Sequence, residues 1–211
     1  MPGKPPLQPR KQPKQVRGEL TRQRILTAAA QVFAEHGYAA GTTNRIAERA
    51  RVSIGSLYQY YPNKDAILIE LVSRHLLGGE EALRRHQEEE LPATIGEALR
   101  GLVHLAVENH LDDPQLLRVM VEEAPRSPDL MRQVGEHERD RIAYTRDLLE
   151  HYPEVNVTNV DMAARIVVTT VELVVHTVIA GPEPVDVRVF EDEMVAMLTR
   201  YLAPSGPPAS L

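Results

Sequence analysis

The residues whose types and spacing could do chemistry are concentrated between Ser53 and Tyr61. Serine is a residue type that begins helices, and Leu57 and Tyr61, four residues apart, can face inward from the helix that follows Ser53. The opposite side of that helix then carries Ile54, Gly55, Ser56, Tyr58, Gln59 and Tyr60. A glutamine amide can bind adenine through two hydrogen bonds, and an aliphatic side chain can contact a thymine methyl group. Such a surface is suited to the major groove of DNA, and Gly55 would let the helix approach the bases closely.

The elements that must position this helix can also be predicted. Thr42 or Thr43 can cap a short helix that runs through Ala50, and the turn around Arg51-Val52 joins it to Ser53. A longer helix from Thr21 to Gly37 precedes both, with its apolar residues at helical spacing: Ile25, Ala28, Ala29, Val32 and Phe33. Pro62-Asn63 ends the third helix, and a fourth begins near Lys64. Two short helices joined by a tight turn are typical of a helix-turn-helix.

Charge is distributed unevenly along the chain. The net charge is −6, yet residues 1–66 hold eleven Lys and Arg against four Asp and Glu, a net charge of +7 that leaves −13 for residues 67–211. A positive N-terminal part (residues 1–66, here called the head) followed by an acidic remainder is the charge pattern expected of a modular DNA-binding protein. Residues 1–17 are predicted to be a disordered basic tail, which either follows the DNA backbone or stays in solvent. Its basic residues are Lys4, Arg10, Lys11, Lys14 and Arg17.

The segment from Thr21 to Val72 resembles the TetR family of repressors. The resemblance rests on Arg24-Ile25-Leu26 with Ala28-Ala29, Phe33, Gly37-Tyr38, Thr42-Thr43, Ile46-Ala47, Ala50, Val52-Ser53, Gly55, Leu57-Tyr58, Tyr60-Tyr61 and Lys64. It implies phosphate contacts from Thr43, Tyr58, Tyr60 and Lys64, and a base contact from Asn44. Ser56 and Tyr61 depart mildly from the threonine and phenylalanine common in the family. The full set predicted to bind DNA is Thr42, Thr43, Asn44, Ser53, Ile54, Gly55, Ser56, Tyr58, Gln59, Tyr60 and Lys64.

The remainder of the chain is predicted to be helical. Helix starts are indicated at Thr94 with Glu97, Asp113-Pro114, Ser127-Pro128, Thr158 with Asp161, and Asp186. We therefore predict an all-α protein of about nine helices, with residues 18–66 as the helix-turn-helix domain, 67–204 as an effector-binding and dimerisation domain, and 205–211 as a flexible end. The last helix carries Phe190, Met194, Met197 and Tyr201 on one stripe.

The segment from Val160 to Ala180 is apolar at fourteen of its 21 positions. Asp161, Arg165 and Glu172 argue against a membrane span. A helix with more apolar surface than one core-facing stripe needs a further partner, and a second copy of the chain is one candidate. The alternative is a helix that is central within its own domain. The resemblance implies a homodimer through the last two helices, which would place two heads on a palindromic operator.

Polar residues within apolar stretches are the candidates for binding a small-molecule effector: His104, Glu108, Arg141, Glu172 and His176. For Glu172 and His176 the alternative is an internal ion pair or a hydrogen-bonded core histidine. The chain has no cysteine and no paired Cys/His pattern, so neither a metal site nor a cofactor is predicted, and no nucleophile–base pair indicates an enzyme. The absence of cysteines and of a signal sequence favours the cytoplasm.

The function implied by the resemblance is sequence-specific transcriptional regulation. We expect a repressor that a small-molecule effector releases from its operator, although activation stays open because it depends on where the operator lies. A protein of the same fold that recruits another protein, in place of sensing a ligand, is the alternative.

Overall fold

The computed structural model describes residues 12–88, 90–111, 114–125, 127–181 and 183–204, with the backbone alone for residues 12–16. Within these ranges the regular structure is entirely helical, which confirms the predicted all-α class. The described part of the chain forms nine helices, which are α1 (Gln12–Ala40), α2 (Thr43–Ala50), α3 (Ile54–Tyr60), α4 (Lys64–Gln87), α5 (Ile95–Leu111), α6 (Pro114–Glu123), α7 (Pro128–His151), α8 (Val160–Ile179) and α9 (Val187–Leu202). The chain divides after Ile67 into two compact units.

In the first unit, α1 packs on α2 and α2 packs on α3. Their contact is built from the apolar residues that the sequence spacing placed inward, among them Ile25, Phe33, Ile46 and Leu57, all of which are fully buried. Gly37 interrupts α1 with φ 71° and ψ 170°, a conformation in the left-handed region that favours glycine.

The start of α1 differs from the prediction. The helix begins at Gln12, so residues 12–17 of the predicted disordered tail are helical. Pro13 lies in the first turn, where the missing N–H costs no hydrogen bond, and glutamine, lysine and arginine are good helix formers. Residues 1–11 of the predicted tail lie outside the described residues.

The core of the second unit is formed by α5, α7, α8 and α9. Several predicted caps are confirmed: Thr94 and Glu97 bond each other's backbone N–H at 3.3 and 3.2 Å, Ser127 accepts from the N–H of Leu130, and Asp186 accepts from the first turn of α9. The predicted start of α8 at Thr158 is wrong by one residue. Asn159 is the cap, because its side chain accepts from the N–H of Met162 at 2.9 Å. Asp113 lies outside the described residues.

The last two helices each have one buried and one exposed apolar face. The helix α8 buries seven residues against the core, while Met162, Ile166 and Leu173 are exposed. The stripe predicted on α9 is only partly right: Met194 is buried, together with Val195, Leu198 and Leu202, whereas Met197 and Tyr201 are exposed. The length and apolar composition of α8 would also suit a membrane span, but the same composition is found in core helices, and 39% of its most apolar 18-residue window is buried here.

Candidate functional site

The helix α3 presents a polar and aromatic face to solvent. Ser53 caps it by accepting from the N–H of Ser56 at 3.0 Å, and Leu57 anchors it from the buried side. Most of the residues predicted to face DNA are exposed and Ser56 is half-buried; the exposed ones are Ile54, Gly55, Tyr58, Gln59 and Tyr60. A methyl group added at Gly55 would meet nothing closer than Ser53 Oγ at 3.9 Å, so this position is open space.

The turn between α2 and α3 is held by the backbone at the end of α2 and by a side chain of α1. Arg51 takes the left-handed conformation with φ 53°, and its N–H bonds the carbonyl oxygens that end α2. From α1, the Arg24 guanidinium donates to the carbonyl oxygens of Ala50 and Arg51 at 2.5 and 3.2 Å. Thr42 caps the start of α2, and the Thr43 and Tyr58 hydroxyls lie 3.2 Å apart. The two helices of the motif are therefore fixed to each other at both ends.

Lys64 begins α4 and holds the end of α1. Its ammonium donates to the carbonyl oxygens of Tyr38 and Ala39 at 2.7 and 3.4 Å and lies 4.0 Å from the centre of the Tyr38 ring. The Tyr38 hydroxyl in turn bonds the Asp65 carboxylate. The sequence predicted Lys64 to bind phosphate and did not predict this structural contact.

In the second unit, a cavity of about 410 Å³ lies among α4, α5, α6, α7 and α8. We call it the α4–α8 cavity. Its walls are mainly aliphatic and methionine side chains, among them Leu76, Met120 and Val134. A smaller adjoining cavity of about 60 Å³ shares six of its lining residues, which are Asn109, His110, His137, Arg141, Val168 and Glu172. Pockets of this kind, apolar with a few convergent polar groups, are the usual form of a small-molecule site.

The structure brings together three of the five residues predicted to bind an effector. Arg141, Glu172 and His176 line the α4–α8 cavity, and the Arg141 guanidinium donates to the Glu172 carboxylate. His104 and Glu108 are exposed and line neither cavity, and His104 bonds Glu191 of α9 at 2.9 Å. The reason is the rotation of α5: Val103 and Val107 are buried, so the residues that follow each of them point about 100° away.

Three further histidines line the cavity and were not singled out from the sequence. His75 is on α4, His110 on α5 and His137 on α7. A signal was available, because His110 continues the buried stripe of α5 at helical spacing from Val103 and Val107, and His137 does the same on α7 after Leu130. Burial lowers the pKa of His75 and of His176 to about 4, with a further contribution from the neighbouring His110 ring.

Comparison with known proteins agrees with this architecture. A family model described as bacterial regulatory proteins, tetR family, matches residues 25–71, and one described as tetracyclin repressor-like, C-terminal domain, matches residues 94–202. These matches define the chain as a helix-turn-helix protein with a regulator's C-terminal domain. The chain belongs to the TetR family of bacterial transcriptional regulators.

Individual relatives and structures are similar over different lengths. The chain is 27% identical to the transcriptional regulator YvkB of Bacillus subtilis over 63% of this chain and 65% of that protein. A TetR-like regulator from Rhodococcus sp. RHA1 has 25% identity and a TM-score of 0.68, with 88% of this chain and 97% of the other covered. The fold is shared with FadR of Bacillus subtilis in complex with stearoyl-CoA, at 22% identity and a TM-score of 0.64, over 83% and 96% of the two chains. The matches to curated relatives span less than two thirds of their lengths.

Proposed function

We propose that this protein is a cytoplasmic repressor that binds a palindromic operator as a homodimer and is released by a small molecule in the α4–α8 cavity. The observation that carries the proposal is the division of α3 into two faces. Leu57 is fully buried, whereas Gly55 and Gln59 stand exposed on the opposite side of the helix and Ile54 is exposed at the border between the two faces. A short helix held rigidly by its neighbours, with readable side chains outward, is what major-groove recognition requires.

In the proposed DNA interface, α3 reads the bases and the flanking hydroxyls hold phosphates. Gln59 and Ile54 supply base contacts, while the neighbouring hydroxyls of Thr43 and Tyr58 and the hydroxyl of exposed Tyr60 are the proposed phosphate donors. Thr42 and Ser53 cap helices with their side chains. Both residues are exposed, so they can approach the DNA backbone. Asn44 is exposed one residue into α2.

Lys64 fits this interface in spite of its structural contact. An ammonium has three N–H donors, and two of them serve the carbonyl oxygens of Tyr38 and Ala39. The third remains for a phosphate. Lys64 would thus bind DNA and stabilise the head at the same time.

The dimer is supported by the exposed apolar residues of α8 and α9. Met162, Ile166 and Leu173 recur at helical spacing on α8, as do Val189, Met197 and Tyr201 on α9. These residues are 41–64% exposed in the single chain. A row of this size on two helices is costly to leave in water, and a second copy of the same surface would cover it.

The effector that suits the cavity is an amphipathic molecule with an apolar body and a hydrogen-bond acceptor. Most of the wall is apolar, and Arg141 Nε is buried with no hydrogen-bond partner among the described residues. A buried unpaired donor is costly, and an acceptor on a ligand would relieve it. Stearoyl-CoA, the ligand of the similarly folded FadR, is one molecule of this amphipathic class.

For an effector to release the protein from DNA, its binding in the cavity must act on the DNA-binding residues. The helix α4 carries residues of both kinds. It carries Val72, His75 and Leu76 in the cavity wall and Lys64 in its first turn. An effector that favours a different position of α4 would lower DNA affinity through its unequal affinity for the two states.

The test of DNA recognition is fluorescence anisotropy with DNA from upstream of the protein's own gene, against random DNA, at two salt concentrations. We expect the wild type to prefer its own site and Gln59→Ala to lose much of that preference, by about 1–3 kcal/mol per head. Tyr58→Phe, which removes only a hydroxyl, should weaken binding to both DNAs alike. Gln31→Ala is the matched control, because Gln31 is an exposed glutamine on α1. Equal binding of wild type and Gln59→Ala to every DNA would contradict base reading by α3.

The effector half of the proposal is tested separately. Amphipathic carboxylates and acyl thioesters are added to the preformed protein–DNA complex, and loss of anisotropy is recorded. Arg141→Met should reduce the response to an active compound, whereas His104→Gln, outside the cavity, should not. A response that is identical in wild type and Arg141→Met would place the effector elsewhere.

A further inference from the structure

Three histidine rings from distant parts of the chain meet at one edge of the α4–α8 cavity. The Nε2 atom of His110 lies 2.7 Å from Nε2 of His176 and 3.3 Å from Nε2 of His75. One nitrogen from each ring can be chosen so that all three lie within 4.8 Å of one another. The rings come from α5, α8 and α4, so no local sequence pattern explains their meeting.

The hydrogen bonding of His110 fixes which nitrogen carries a proton. Its Nδ1 faces the carbonyl oxygen of Ala106, which can only accept, so Nδ1–H is the donor. The Nε2 atom of the neutral ring therefore carries the lone pair, and in the metal-free protein it accepts from the ring N–H of His176 at 2.7 Å, a hydrogen bond that a metal ion would replace. Histidines that bind metals usually have this arrangement, with the other ring nitrogen donating to a backbone carbonyl.

The spacing of the nitrogens agrees with coordination. A zinc ion with tetrahedral geometry and Zn–N bonds of about 2.0–2.1 Å holds its ligand nitrogens roughly 3.3 Å apart. The distance from His110 to His75 has this value, and the nitrogens of His110 and His176 would move apart by about 0.6 Å from their present 2.7 Å. A rotation of half-buried His176 about its side-chain bonds would make this change. The nitrogens of His75 and His176 lie within 4.8 Å of each other and would likewise have to settle near 3.3 Å around a zinc ion.

From this convergence we infer that His75, His110 and His176 form a binding site for a divalent late first-row transition metal ion, with zinc as the representative. Nitrogen donors select such ions over Mg²⁺ and Ca²⁺, which prefer oxygen. The site ties α4 to α5 and α8 and leaves a coordination position open to the cavity. The inference does not depend on the proposed function, because metal binding needs no DNA.

Two charged groups lie beside the site and act in opposite directions. The Glu172 Oε2 atom is 3.8 Å from His176 Nε2, and its negative charge favours a cation. Arg141 opposes the cation but is already paired with Glu172 Oε1. Glu172 can also supply a fourth ligand through Oε2, and otherwise a water molecule from the cavity completes the site.

The experiment is a titration of the chelator-treated full-length protein with Zn²⁺ in competition with a chromophoric chelator, followed by Co²⁺ absorption spectroscopy. We expect one ion per chain and intense visible Co²⁺ bands typical of a tetrahedral site. His75→Gln and His176→Gln, both at half-buried positions, should each weaken Zn²⁺ binding at least about 100-fold. Residues that only hydrogen-bond a metal ligand already contribute about 10–100-fold to metal affinity, and a direct ligand should contribute at least as much. His104→Gln is the matched control, because His104 is on α5 but exposed and outside the cavity.

Zn²⁺ binding that His75→Gln and His176→Gln leave unchanged would overturn the inference, as would the absence of stoichiometric binding by the wild type. Circular dichroism of each variant in chelator verifies that it is folded. As a second readout on the wild type alone, Zn²⁺ should shift the ring proton resonances of His75, His110 and His176 in NMR spectra. Unshifted resonances would overturn the inference even if a variant failed to fold. Neither result bears on operator binding, which is measured separately.

Discussion

The Arg141 guanidinium on α7 donates to the Glu172 carboxylate on α8, and both side chains stand in the wall of the α4–α8 cavity. The side chains are 24% and 20% exposed, so each charge has lost most of its water. The ion pair thus joins two helices of the core and fixes the orientation of the unpaired Arg141 Nε.

Removing one partner of this pair should cost stability. Arg141→Met leaves the Glu172 carboxylate largely buried without its partner, and we expect the free energy of unfolding to fall by about 1–3 kcal/mol. The double variant Arg141→Met, Glu172→Gln should recover part of the loss, because no uncompensated charge remains. Urea denaturation measures the free energy of unfolding of the single and the double variant. A double variant that is no more stable than Arg141→Met would show that the pair does not act as a unit.

Lys64→Ala should have two separable effects. The loss of the bonds to Tyr38 and Ala39 lowers the thermal stability of the head, and the loss of a phosphate contact reduces the salt dependence of DNA binding by about one unit of slope for each head. Tyr38→Phe is the control, because it removes the hydroxyl bond to Asp65 and should leave the salt slope unchanged. An unchanged slope in Lys64→Ala would mean that Lys64 acts on the fold alone.

Gly55→Ala should stabilise the free protein while weakening its binding to DNA. A methyl group at this exposed helix position meets no atom closer than 3.9 Å, and alanine is more favourable than glycine in a helix by roughly 0.5–1 kcal/mol. In the complex with DNA the same methyl group would overlap sterically with the bases, so we expect operator affinity to fall about tenfold or more. Gly135→Ala, at a similarly open position on α7, should stabilise without affecting DNA binding. Full affinity in Gly55→Ala would exclude a close approach at this point.

Leu173→Glu should convert the proposed dimer into a monomer. Leu173 is 64% exposed on α8, and a carboxylate within an apolar interface is strongly unfavourable. Leu77→Glu is the matched control, since Leu77 is 60% exposed and belongs to α4, which is not part of the proposed interface. Analytical ultracentrifugation gives the mass of each variant. A Leu173→Glu protein that remains dimeric would contradict an interface on this face.

Stability should fall as the pH is lowered below about 6.5 in the presence of a chelator. Burial lowers the pKa of His137, and the positive charge of Arg141 lowers it further, against weaker opposite effects of Glu172 and Asp140. The Glu80 carboxylate lies 3.6 Å from Nδ1 of His137. Below pH 6.5 the unfolded chain takes up a proton that folded His137 does not, so unfolding is favoured. Thermal unfolding between pH 7.5 and 5 should show a weaker pH dependence in His137→Gln than in the wild type; an equal dependence would contradict this role.

The sequence by itself determined the head and the class of the fold. Apolar residues at helical spacing, such as Ile25, Phe33 and Leu57, and local caps such as Ser53 predicted the helices and the outward face of α3. These signals are readable because a helix face and a cap depend on residues within about four positions of each other. The predicted cap of α8 failed by one position, at Asn159, since adjacent polar residues can each cap a helix.

Only the tertiary structure decided how the second unit assembles its cavity. His110 meets a ring 35 residues away and another 66 residues away, and Arg141 meets a carboxylate 31 residues away. His104 and Glu108 looked equally suitable from the sequence, yet they point outward because Val103 and Val107 set the rotation of α5. The rotation and packing of helices depend on side chains from several elements at once, and the pattern within any single helix does not contain that information.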